Sequence, residues 1–254
     1  MINNFILIHY CRDISKRAPI SIKKEFIERW SDLQHVLLNR QIKRIRNLYP
    51  NAKIHILTNE KINFDSKVFI HCKNFNSDHT SKFLLFGLID EPSIYLDSDL
   101  ILIDRFPQQK FKFDEPFNLF RSRFNPILSN ISSKKLPFSL DRHYNGCLIL
   151  INKPNEKISL DLKKIHDDYF NDEKLILENK MWPGNDEYAI SFYIKENNIK
   201  SFELEGLAMP RELIKNPIDF KKYQSIHFGG LENKNKYIEE YNQYISPLTL
   251  RFFM

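Results

Sequence analysis

Apolar positions along the chain fall into two rhythms. Short, nearly continuous apolar runs bounded by polar or glycine turns read as buried strands at residues 5–9, 53–58, 67–71, 92–103, 117–121 and 144–152. Between them apolar residues recur at helical spacing. Phe26, Trp30, Leu33, Leu37, Ile42, Ile45 and Leu48 form one stripe, with Arg29, Arg40, Lys43, Arg44 and Arg46 on other faces and Pro50 as its stop. A second helix, capped by Asp78 or Thr80, runs through Lys82, Leu84, Leu85 and Leu88 and ends before Pro92. Ile158, Leu162, Ile165 and Tyr169 mark a third, and Asn185-Asp186-Glu187 opens a fourth through Ala189, Ile190, Phe192 and Tyr193. Residues 201–204 and 225–228 read as short late strands, and a polar helix with Tyr237, Tyr241 and Tyr244 follows Leu231. Residues 122–142, polar and without period, read as a loop or flap.

Strand, helix, strand in that order implies parallel pairing. The expected architecture is α/β: a single Rossmann-like, mostly parallel central sheet flanked by helices. One domain over 1–254 is expected, with a nucleotide-binding half at 1–105 and an acceptor-binding half with a C-terminal helix at 106–254. Ligands of such sheets gather at the carboxyl ends of the strands.

Composition narrows the class. With 42% hydrophobic residues, 21 Phe and 11 Tyr, the chain can bury a core and does not read as a disordered polymer. No apolar run is long enough for a membrane span, and Met1-Ile2-Asn3-Asn4 leads straight into a strand, unlike a signal peptide. The formal net charge of +6 favours anionic partners, but lysine is spread along the chain, so no nucleic-acid partner is expected. Cys11, Cys72 and Cys147 lie far apart beside apolar runs and read as buried, reduced thiols, which fits a cytoplasmic setting.

The chemistry concentrates in Tyr95-Leu96-Asp97-Ser98-Asp99, where two carboxylates interrupt the apolar run at 92–103. In a strand, residues two apart share a face, so Asp97 and Asp99 would converge. Unpaired and half-buried they would repel, and a hard divalent cation between them is the economical remedy. Further along, Tyr144-Asn145-Gly146 opens a buried strand with a glycine that admits close approach to the backbone, and His227-Phe228-Gly229-Gly230 breaks a strand into a turn.

Lys82 before the acidic strand, Asp97-Ser98-Asp99, Asn145-Gly146, Gly184-Asn185-Asp186-Glu187 and His227-Phe228-Gly229-Gly230, in that order, resemble the GT-A glycosyltransferases. The likeness is greatest to the family-eight group that includes glycogenin and lipopolysaccharide galactosyltransferases. Glu187 stands where that family usually has Gln, and Lys234 lies one position later than its phosphate-binding lysine. The resemblance implies transfer of a sugar, with retention, from a nucleotide-diphosphate sugar, UDP-linked, to a glycan, lipid-linked or protein acceptor. It implies Mn2+ or Mg2+ held by Asp97, Asp99 and His227, and a catalytic carboxylate at Asp186 with Glu187 second. His9, Tyr10, Lys82, Ser98, Asn145, Gly146, Gly229, Gly230 and Lys234 would line the nucleotide and sugar. The aromatic and basic end of the chain, residues 250–254, is a candidate for peripheral contact with the inner membrane face.

Two rival readings use the same residues. Haloacid-dehalogenase phosphatases also carry Asp-any-Asp, with His166-Asp167-Asp168 as a mimic of their late acidic pair, but there the motif ends the first strand. A non-enzymatic basic protein that binds anionic polymers would explain the charge and leave the paired carboxylates unused.

Overall fold

The computed structural model describes residues 3–9, 24–59, 62, 64, 67–73, 75, 79–121, 144–170, 186–200, 207–210, 214–228 and 243. Tyr10, Cys11, Gly229, Gly230 and Lys234 lie outside them, as do the expected strand at 201–204, the loop at 122–142, the helix after Leu231 and residues 250–254.

The chain opens with strand β1 (Asn4–His9), helix α1 (Lys24–Leu48), β2 (Lys53–Thr58) and β3 (Phe69–Cys72). A 3-10 helix (His79–Gly87) leads to β4 (Ser93–Leu96) and β5 (Leu100–Leu102). Then come β6 (Phe117–Arg121), β7 (Tyr144–Ile151), α2 (Glu156–Ile165), α3 (Asp186–Glu196), β8 (Ala208–Pro210) and β9 (Ser225–His227). Six strands form one sheet in the order β3-β2-β1-β4-β7-β6. The pairs β1–β2, β1–β4 and β2–β3 are parallel, whereas β7 runs antiparallel to both β4 and β6. The expected mixed, mostly parallel α/β sheet is therefore present.

Strand alternation sorts the core into two layers. Phe5, Leu7, Ile54 and Ile56 join Leu38, Ile42, Ile45 and Leu48 of α1 on one face. Ile6, Ile8 and Leu57 join the 3-10 helix, α2 and α3 on the other. The helix expected through Lys82, Leu84 and Leu85 is present as a 3-10 helix, and its close seat on α2 leaves no room for a Cβ at Gly87, which would meet the Glu156 backbone at 2.9 Å. Arg44, off the apolar stripe of α1, is only 1% exposed, because Nε and Nη2 donate to the carbonyls of Leu102 and Ile103 at 2.8 and 2.7 Å. Two expectations need correction. Cys72 is exposed at the end of edge strand β3, while Cys147 is buried as expected.

The second correction bears on function. The apolar run at 92–103 is two strands in two sheets. β4 belongs to the large sheet, and β5 joins β9 and β8 in a second sheet of three strands. Asp97, Ser98 and Asp99 form the turn between them, closed by a hydrogen bond from the Leu100 N–H to the Asp97 carbonyl at 3.0 Å.

Candidate functional site

The turn at 97–99 is pinned on both sides. The Asp97 N–H donates to the Cys147 carbonyl on β7 at 2.9 Å, and the Phe228 N–H donates to the Asp99 carbonyl at 2.9 Å. Leu100 pairs with His227 across the small sheet, which sets that imidazole beside the turn. Ligand atoms of Asp97, Asp99 and His227 consequently lie within 4.8 Å of one another. The two aspartates converge through a reverse turn, not through strand alternation.

His227 Nε2 is 3.5 Å from Asp99 Oδ1. Burial alone would lower the His227 pKa, but the adjoining Cys147 sulfur and the Asp99 carboxylate hold it well above the usual range. Because burial also pushes the Cys147 thiol up and leaves it neutral, Asp99 is the anion that matters. Once His227 gives up its proton, two oxygen donors and one imidazole within 4.8 Å of one another suit a divalent cation with some tolerance for nitrogen, as manganese has.

Beside this triad β7 changes register with β6 between Leu119 and Phe120. An irregularity of this kind frees backbone groups and redirects them. The Gly146 N–H donates to Glu187 Oε1 at 2.8 Å, and the Gly146 carbonyl accepts from Lys82 Nζ at 3.4 Å. Lys82 also reaches Asp97 Oδ2 at 3.2 Å and Asp186 Oδ2 at 3.3 Å. A Cβ at 146 would sit 2.6 Å from Asp186 Oδ2 and 3.2 Å from Lys82 Nζ, so any larger residue there makes the ends of those two side chains shift. Asn145 turns its Oδ1 back onto the Cys147 N–H at 2.8 Å.

The charges are strongly coupled. Burial opposes a charged Lys82, yet Asp186 and Asp97 outweigh it and hold the ammonium well above its usual pKa. Burial pushes Asp186 up to about 7 against the pull of Lys82, and Glu187 and Asp97 push the same way. Lys82 thus stays a cation, held first by Asp186 and then by Asp97, while burial keeps the Asp186 carboxyl above the usual carboxylate range.

The structure therefore gathers Lys82, Asp97, Ser98, Asp99, Asn145, Gly146, Asp186, Glu187 and His227 around one turn. His9, 7% exposed at the end of β1, meets the rings of His35 and Phe64 edge-on at 6.0 and 6.4 Å. Tyr95 went unnoticed as a site residue. Its phenol, 2% exposed, donates to Asp97 Oδ1, and its ring lies 5.6 Å from Lys82 Nζ. Its position two residues before Asp97 was the available signal.

The phosphatase alternative finds no support in this layout. The acidic turn follows the fourth strand, and Asp168 is engaged by Lys164 on an exposed surface.

No known family profile and no curated protein matches the sequence. Solved structures do: the fold is that of GT-A glycosyltransferases. Similar structures include the glycosyltransferase GlyE of Streptococcus pneumoniae TIGR4, at a TM-score of 0.57 and 13% identity over 99% of this chain. This chain spans 63% of GlyE. The galactosyltransferase LgtC in complex with donor and acceptor sugar analogues matches at a TM-score of 0.54 and 9% identity, over 95% of this chain and 96% of LgtC. A glycosyltransferase involved in glycosylation of the major capsid of PBCV-1 matches at 0.51 and 10% identity, over 94% and 98% of the two chains.

Proposed function

We propose that the protein is a metal-dependent glycosyltransferase that moves a sugar from a UDP-sugar to a glycan, lipid-linked or protein acceptor with retention of configuration. The observation that carries this reading is the convergence of Asp97, Asp99 and His227 on a turn beside β4 in a GT-A fold. The donor set, two carboxylates and an imidazole, fits manganese or magnesium. When bound there, the metal offsets charge on the departing diphosphate.

The remaining residues divide the other tasks. Lys82 supplies a second, protein-borne positive charge within reach of the phosphates. Asp186, buried and next to Gly146, is the carboxylate offered to the positive charge that develops at the anomeric carbon, and Glu187 is fixed by the Gly146 N–H. Asn145 and Gly146 line the sugar, Ser98, Gly229, Gly230 and Lys234 line the phosphates, and His9 and Tyr10 meet the base. Among the described residues no helix is long and apolar enough to cross a membrane. The setting proposed for the enzyme is cytoplasmic, with peripheral contact at the inner membrane face.

The test is thermal unfolding with manganese and UDP, followed by a nucleotide-sugar hydrolysis and transfer screen. UDP should raise the Tm only when manganese is present. Stabilisation by neither, together with phosphatase activity on a simple phosphomonoester or salt-sensitive binding of an anionic polymer, would replace this reading.

A further inference from the structure

Both carboxylate oxygens of Asp97 are already engaged. The Tyr95 hydroxyl donates to Oδ1, and the Lys82 ammonium sits 3.2 Å from Oδ2. That ammonium is also 3.3 Å from Asp186 Oδ2, and its side chain is only 12% exposed. We propose that Lys82 is a placeholder cation: in the donor-free protein it occupies an oxygen that the metal needs, and it releases Asp97 when a diphosphate draws the ammonium away. This inference rests on the reading of Asp97, Asp99 and His227 as a metal site.

Three physical arguments support it. Asp97, Asp186 and Glu187 lie close enough to influence one ammonium, and such an acidic group left without a cation would be strongly unfavourable. A lysine suits an exchangeable role, because its flexible stem and rotatable ammonium can leave a carboxylate for a phosphate, whereas the rigid fork of arginine favours one fixed partner. Finally, an ammonium and a divalent cation sharing one carboxylate repel each other within a few ångströms. Metal binding alone is therefore weakened, and metal and diphosphate bind in concert.

Manganese titration followed by electron paramagnetic resonance, with and without UDP, tests this on the full chain. Lys82→Met should tighten manganese binding in the absence of nucleotide by about tenfold or more, and the further tightening produced by UDP should shrink. Unchanged or weaker nucleotide-free binding in Lys82→Met overturns the proposal. Asp99→Asn separates this failure from that of the underlying reading. If wild-type manganese binding ignores Asp99→Asn even with UDP, the metal site itself is wrong. If binding responds to Asp99→Asn yet Lys82→Met does not tighten it, only the placeholder is wrong. Should Lys82→Met fail to fold, Lys82→Met combined with Asp186→Asn removes the cation with one of its anions, and it should bind manganese more tightly than Asp186→Asn alone.

Discussion

Two clusters of titratable side chains lie along the large sheet with opposite electrostatic character. Beyond the end of β4, Lys82, Asp97 and Asp186 remain strongly polar despite burial, and the lysine pKa is driven up. On the β2–β3 edge, His55 Nδ1 and His71 Nε2 face each other at 3.0 Å, with Phe69 stacked on His55 at 5.0 Å. There burial, His71 and Lys53 push His55 down to about 4, and burial lowers His71 as well. The histidines settle into a neutral, self-contained pair. The cluster beyond β4 holds the Lys82 ammonium charged against the carboxyl groups of Asp186, Asp97 and Glu187 and so favours an incoming cation. Burial of ionisable groups does not by itself make a site; a surplus of one sign around an approachable point does.

Breaking the acidic cluster should have the largest effect. Asp99→Asn removes a proposed ligand and little packing, so transfer or donor hydrolysis with manganese should fall by at least about a hundredfold while the Tm stays near wild type. Retention of full metal-dependent activity would sink the metal assignment. Gly146→Ala comes next, because its Cβ at 2.6 Å from Asp186 Oδ2 forces the Asp186–Lys82 pair apart. A loss of about 1–3 kcal/mol in denaturant unfolding and a fall in kcat are expected. A neutral result would mean that the pair relaxes freely.

The pH profile sharpens the contrast. Asp186 has its pKa raised from 3.8 to about 7 in the folded protein, so its contribution to stability is fully present below about pH 4 and is lost as pH rises through 7. Asp186→Asn should gain Tm relative to wild type over that interval. The histidine edge should show the reverse sign with a smaller effect. His55 is lowered from 6.5 to about 4, so its contribution is present above 6.5 and is lost as pH falls through 4. His71→Ala should cost about 1 kcal/mol at neutral pH and leave transfer unchanged, measured by urea unfolding and the same activity screen.

Much of the scaffold was legible because apolar runs at 5–9, 53–58 and 144–152 have no other plausible use than buried strands, and the α1 stripe has helical period. The break at 97–99 was hidden because Leu100, Ile101 and Leu102 continue the apolar run, and a change of sheet leaves no mark when both strands are buried. The burial of Arg44 was hidden for a related reason. Composition assigns arginine to water, and only the carbonyls of Leu102 and Ile103 at the end of β5 bring it inside. β8, three residues long, is too short for any period to register. At the site, the residue types were readable from motif order and Tyr95 lies only two residues before its partner Asp97, whereas the register change that opens Gly146 depends on partners far away in the chain.

The turn at 97–99 is also a mechanical joint. Asp97 is tied to the large sheet through Cys147, and Asp99 to the small sheet through Phe228 and the Leu100–His227 pairing. A displacement of one sheet against the other changes the spacing of the two carboxylates. Conversely, anything gripped between those carboxylates braces the two sheets, so slower amide exchange in β5 and β9 should accompany metal and donor binding.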